Sequence, residues 1–190
     1  MLKIPDIPRS MAVDSLTVPD GVSFEQAIVL TQSLLEQLEQ GKLSDAALAD
    51  TVSALVSSEN GARGFFVTYL SDDRPLADTP VPAVLQALGT VPEVVAPLLV
   101  KNLAMSTAMG ITHRQNQHEE MALGSDRVRS RTAQLIQMLP SALLQHHAQA
   151  LASTIDTGTG DYQRFLERWG YNLEQQHAIR DRLEQTGLLQ

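Results

Sequence analysis

The chain of 190 residues contains no cysteine. That absence removes disulfide staples, thiolate metal sites, thiol nucleophiles and cysteine-linked chromophores together. A reducing, cytoplasmic setting is the matching expectation. Aromatic residues are also scarce, at 4% against 43% hydrophobic residues overall, so the interior must be built mainly from Leu, Val, Ala and Met. Strands are usually enriched in aromatic and β-branched side chains, and this composition instead predicts an all-α fold, a multi-helix bundle with a long central helix. Positive charge is in short supply as well: 14 Lys and Arg face 22 Asp and Glu, for a net charge of −8. Binding to a phosphate backbone or an anionic bilayer needs clustered cations, so neither nucleic acid nor membrane is expected as a partner. The deficit lies wholly in residues 1–100, with 5 basic and 13 acidic side chains; residues 101–190 hold 9 of each.

Long apolar runs are missing too. The first residues, MLKIPDIPRSMAVDSL, are interrupted by Pro5 and Pro8 and contain no signal-peptide core, so export is not expected. The stretch from Ala96 to Ile111 carries Lys101 and Asn102 in its middle and falls short of the roughly 20 residues a membrane span requires. It reads as a buried helix. The phosphate-binding, dinucleotide-binding, nucleophile-elbow and zinc-protease motifs are absent, no internal repeat is present, and no catalytic residue or cofactor is assigned.

Residues 1–22 hold Pro5, Pro8, Pro19 and Gly21 among scattered apolar side chains and read as an extended arm. Residues 23–190 read as a single helical domain. Ser23 and Gln26 form a capping-box pattern that opens a helix ended at Gly41, and Ser44 opens a second helix, expected to pack against the first as an antiparallel pair. Residues 61–70 have helix-like spacing but strand-like composition, and helix is favoured. Pro82 to Leu88 makes a short helix, and Pro92 starts the central helix, expected to run toward Met121. Ser125 or Asp126 is expected to cap the next helix, and Pro140 to restart the chain. A flexible loop at 157–160 precedes a final helix pair, with Asp161 capping its first member and Asn172 with Gln175 capping its second.

The chemistry that remains possible lies on the central helix. In an unbroken helix, Asn102, Ser106, Met109, His113, Gln117 and Glu120 fall in one narrow sector, a polar stripe on an apolar rod. Turned outward it is an ordinary solvated face. Turned inward it could hold a ligand, with His113 as proton carrier or donor and Glu120 as its charge partner. Arg127, Arg129 and Arg131 form a second candidate, for an anion or an acidic partner, although they bracket the apolar stripe headed by Val128 as stems lying over a core edge would. Metal binding lacks a complete ligand set. Glu174-x-x-His177 is a lone pair of the kind that di-iron bundles use twice, and His113 and His118 point about 140° apart in an unbroken helix.

The resulting expectation is a non-enzymatic interaction or regulatory protein that self-associates as a homo-oligomer or binds a protein partner. Small residues at Ala104 and Ala108 and at Ser106 and Gly110 permit close helix approach. The alternative is a small-molecule- or metal-binding protein, or an enzyme, using the polar stripe.

Overall fold

Helix starts are set by local hydrogen bonding. Ser23 Oγ accepts from the backbone N–H of Gln26 while the Gln26 side chain accepts from the Ser23 N–H, opening α1 (Phe24–Glu39). Ser44 and Ser58 cap α2 (Asp45–Val56) and α3 (Glu59–Ser71) by the same one-sided bond, and Ser141 caps α7 (Ala142–Thr157). First-turn prolines open α4 (Pro82–Leu88) and α5 (Pro92–Gln115), where the missing N–H costs nothing. α6 (Glu119–Met138), α8 (Gln163–Trp169) and α9 (Leu173–Gln185) complete the fold, with a short 3₁₀ turn at Pro75–Ala77. The computed structural model describes residues 16–189, and among these there is no β-strand. Most of the arm expected at 1–22 lies outside the described residues; of its last part, Leu16 and Val18 pack against the core and Val22 is buried.

The protein is an all-α bundle organised around α5. By length and composition α5 could cross a membrane, yet here it is the core helix: 56% of its most apolar window is buried inside the protein. α6 folds back along it, and α7, α9 and α3 pack on its other faces. α1 lies chiefly on α3 and α2 chiefly on α4, so the expected α1–α2 pair is only a minor contact. The reason is visible at Gly64, where a Cβ would stand 2.5 Å from the Ala27 Cβ and 2.7 Å from the Phe24 carbonyl oxygen. Only a residue without a side chain lets α1 and α3 approach so closely. Residues 61–70 are helical, within α3.

The central helix ends earlier than the hydrophobic pattern predicts. α5 stops at Gln115, Gln117 takes a left-handed conformation with φ of 60°, and α6 begins at Glu119 rather than at Ser125 or Asp126. Charge agrees with this break. His113 and Arg114 sit in the last turn of α5 and Glu119 and Glu120 in the first turn of α6, each favourable to its helix dipole. The hairpin is clamped by Asp126, which accepts from Arg114 across the turn and pairs with Arg129 at 2.8 Å. α8 likewise begins after Tyr162 rather than being capped by Asp161.

Buried hydroxyls are spent on the backbone. Thr31, Thr51, Thr107, Thr132 and Thr154 each donate to the carbonyl four residues earlier, so they need no other partner. The small residues of α5 serve the fold itself. Ala104 and Ala108 are fully buried, and Gly110 faces Asp126 and Arg129 of α6. Of the small residues expected to permit close helix approach, Ala104, Ala108 and Gly110 are thus occupied by contacts within the chain.

Stability outcomes of two kinds are expected, the first from packing at two glycines and the second from acid. Gly64→Ala should cost about 1–3 kcal/mol by forcing α1 and α3 apart, seen as a lower urea midpoint. Gly124→Ala, whose added Cβ meets nothing within 4 Å, should raise the midpoint. The second kind concerns acid. The Arg114 hydrogen bond first, and the charge of Arg129, hold the Asp126 carboxyl below the usual aspartate range. A depressed folded pKa gives stability that is present above the unfolded aspartate value of about 3.9 and is lost as pH falls through the folded value. Arg114→Gln should therefore melt below the parent at pH 5 to 7, with the gap closing in acid below pH 4.

Candidate functional site

One face of α5 is not covered by a neighbouring helix. Pro97, Lys101, Met105 and Met109, with the adjacent Asn102 and Ser106, form the floor of an open groove of about 1040 Å³ that follows the helix as far as His113. Lining residues recur every three or four positions because that is the spacing of one helical face. From Pro97 to His113 the floor runs about 24 Å at 1.5 Å per residue. One wall comes from α3, through Arg63, Phe66 and Val67, with Phe24 of α1 beside them; α6 adds Met121 and Val128. The opposite wall is α8 and the loop before it, through Tyr162, Arg164, Phe165, Arg168 and Trp169, with His147 of α7 at its base.

Four of the sequence-derived positions meet on this floor: Asn102, Ser106, Met109 and His113 all line the groove. Gln117 and Glu120 do not. The chain has turned by then, Gln117 lying in the α5–α6 turn and Glu120 in the first turn of α6, both exposed. The expected His113–Glu120 partnership required an unbroken helix and is corrected by that turn. Ser106 is buried, and its hydroxyl donates to the Asn102 carbonyl at 2.6 Å and lies 3.2 Å from that of Leu103. Its proton is committed to the backbone rather than to a base.

The three arginines of α6 do not form a cationic patch, because each is engaged within the fold. Arg127 pairs with Asp73 at 2.5 Å and Arg129 with Asp126. Arg131 is 3% exposed and donates to Asp78 and to the carbonyls of Leu70, Asp72 and Arg74. It ties the segment after α3 to α6, closing off carbonyls that α3 leaves unpaired at its end. Glu174 accepts from Gln115, and among the described residues no three His, Asp or Glu side chains gather as metal ligands do.

Cations that are not engaged surround the groove instead. Among the described residues, Lys101, Arg164 and Arg168 make no ion pair, and Arg63 lies over the Phe24 ring at 5.3 Å. Arg74, Arg114 and Arg180, like the α6 arginines, all have acidic partners. Glu59 and Asp161 are the acids along the groove. The scarce aromatics gather here too. Phe24, Phe66, Tyr162, Phe165 and Trp169 all line it, and Tyr162, Phe165 and Tyr171 form a chain of edge-on contacts behind one wall. This site was missed in the sequence except for its floor. The available signal was the interleaving of Arg164 and Arg168 with Phe165 and Trp169, each pair one helical turn apart.

At the base of the α8 wall, the Tyr162 hydroxyl lies 3.0 Å from His147 Nδ1. Burial, foremost, and then the charges of His146 and Lys101 hold the His147 pKa below the ordinary histidine value, outweighing Asp161. The neutral ring can then accept a hydrogen bond at Nδ1 from the Tyr162 hydroxyl. Burial also raises the Tyr162 pKa, keeping that hydroxyl protonated. The pair is a neutral hydrogen-bonded post that fixes where α8 begins relative to α7.

The chain belongs to the family described as Uncharacterised conserved protein UCP020893, whose pattern it matches over residues 23–186. No curated protein and no solved structure matches it.

The electrostatics of the groove base can be read by NMR. His147 should titrate below 6.5, and Lys101→Met should move its midpoint upward by removing a neighbouring positive charge. A midpoint unchanged by that substitution would separate Lys101 from this end of the groove.

Proposed function

We propose that the protein is a non-enzymatic binding protein whose α5 groove takes an elongated, largely apolar ligand carrying negative charge. The observation that carries this reading is the gathering of cations without ion pairs, Lys101 on the floor and Arg63, Arg164 and Arg168 on the lips, along a largely apolar groove in a chain of net charge −8. Most arginines outside the groove are paired with the fold's own acids, Arg182 being an exception, whereas all four cations along the groove lack an ion pair among the described residues. The volume of about 1040 Å³ is of the size that ligand sites occupy. Met105 and Met109 offer unbranched, polarizable side chains that adapt to an irregular occupant.

The reading is that of an interaction or regulatory protein rather than an enzyme. The Ser106 hydroxyl is committed to backbone carbonyls, and His147 is occupied by Tyr162. Asn102 remains on the floor as an amide able to orient a polar end of the ligand. Self-association through the arm concerns residues largely outside those described, and the groove does not require it.

The test is titration of the full chain with anilinonaphthalene sulfonate, an apolar dye with one negative charge, followed by dye fluorescence. One saturable site per chain is expected, weakened about tenfold, or 1.4 kcal/mol, by Lys101→Glu and also by Val67→Glu. Both side chains reach solvent, so neither substitution opens the core. Dye binding that ignores both substitutions, or no saturable binding, removes the groove as the site.

A further inference from the structure

The geometry points to an acidic amphipathic α-helix of a partner protein as the occupant of the α5 groove, an inference that rests on the groove being the binding site proposed above. Length is the first argument. A floor of about 24 Å accommodates roughly 16 residues of helix laid along α5. Volume is the second. At about 1040 Å³ the groove lies at the upper end of the range of small-molecule sites, which suits an occupant bulkier than a single extended alkyl chain.

Hydrogen-bonding capacity separates a helix from an extended peptide. A helix satisfies its own backbone, so it can lie on an apolar floor that offers few donors and acceptors. An extended segment would need a regular row of ladder partners, and the floor supplies only scattered side-chain ones, Lys101, Asn102 and His113, among Pro97, Leu98, Met105 and Met109, with the Ser106 hydroxyl already committed. The lips are apolar as well as charged. Val67, Met121 and Trp169 are 49%, 56% and 45% exposed, placed to close over the flanks of an inserted helix.

Charge decides the sign of the partner. Arg63 stands on the α3 lip, and Arg164 and Arg168 stand one turn apart on the α8 lip, with Lys101 between. Four cations against the two groove acids, Glu59 and Asp161, leave a net charge of +2 along the groove, which favours Glu or Asp flanking the apolar stripe of the incoming helix. The rest of the acidic chain repels such a helix, so attraction is confined to the groove and sets where it docks.

The experiment uses the full chain and a 17-residue helical peptide with Leu at i, i+3, i+4 and i+7 positions and Glu on the flanks. Its counterpart with Lys for Glu, and dodecanoate, are the comparisons. Binding is followed by anisotropy of the labelled peptide and by Trp169, the single tryptophan and a lip residue. The Glu peptide is expected to bind, to weaken as salt rises, and to lose at least tenfold in affinity in the Arg164→Glu, Arg168→Glu double variant. Both arginines are exposed and unpaired among the described residues, and circular dichroism verifies that the variant remains folded. Equal binding of the Lys peptide, or of the double variant, overturns the inference. Binding of dodecanoate but not of the Glu peptide overturns it while leaving the groove as a site for a small apolar acid. Binding of neither removes both readings.

Discussion

A helix of 24 residues that is apolar nearly all the way round cannot leave a face to water without cost, and α5 imposes that condition on everything around it. α6, α7, α9 and α3 are placed by the need to cover it. α9 is fixed with particular economy. Gln175 reciprocates the Asn172 cap and also donates to the Ala108 carbonyl and to Thr112 Oγ1 of α5, so the start of one helix is fastened to the flank of another. The groove is the length of α5 over which this covering is incomplete. Its polar and semi-polar residues, Asn102, Ser106, Met109 and His113, are the ones that tolerate such a position.

The distribution of charge follows a second rule. Basic side chains near helix junctions are paired: Arg114 and Arg129 with Asp126 at the α5–α6 turn, Arg74 with Asp72 after α3, and Arg180 with Asp156 between α9 and α7. Arg131 is the extreme case, a buried guanidinium whose planar fork reaches three carbonyls and a carboxylate that no lysine could serve together. Against this habit of pairing, four of the described cations without an ion pair gather at the groove, while Lys42 and Arg182 are scattered elsewhere. Neither their number nor the net charge distinguishes them; their surroundings do.

What could be read from the sequence was what local chemistry controls. The capping boxes at Ser23 and Gln26 and at Asn172 and Gln175, the first-turn prolines at 82 and 92, and the helix over 61–70 are decided within a few residues, and all appear where the pattern puts them. The turn after α5 was not legible because it uses Gln117 in a left-handed conformation, where Gly110 and Gly124 nearby are the residues that look like breaks and are helical. That displacement removed Gln117 and Glu120 from the stripe. The floor of the groove was readable because one helix supplies it. Its walls come from α3 and α8, about 100 residues apart in sequence, and no periodicity joins Arg63 to Arg164.

The contact at Gly64 gives the two jaws of the groove different stiffness. The α3 jaw is braced backbone against backbone on α1, with Phe24 held at the same crossing, so it has no side chain that could yield. The α8 jaw is two turns of helix between Gly160 and Gly170, resting on the Tyr162–His147 bond and a row of ring edges. An occupant broader than the gap would thus press on one jaw held by backbone contact and another held by side-chain contacts, the lighter constraint lying on the α8 side.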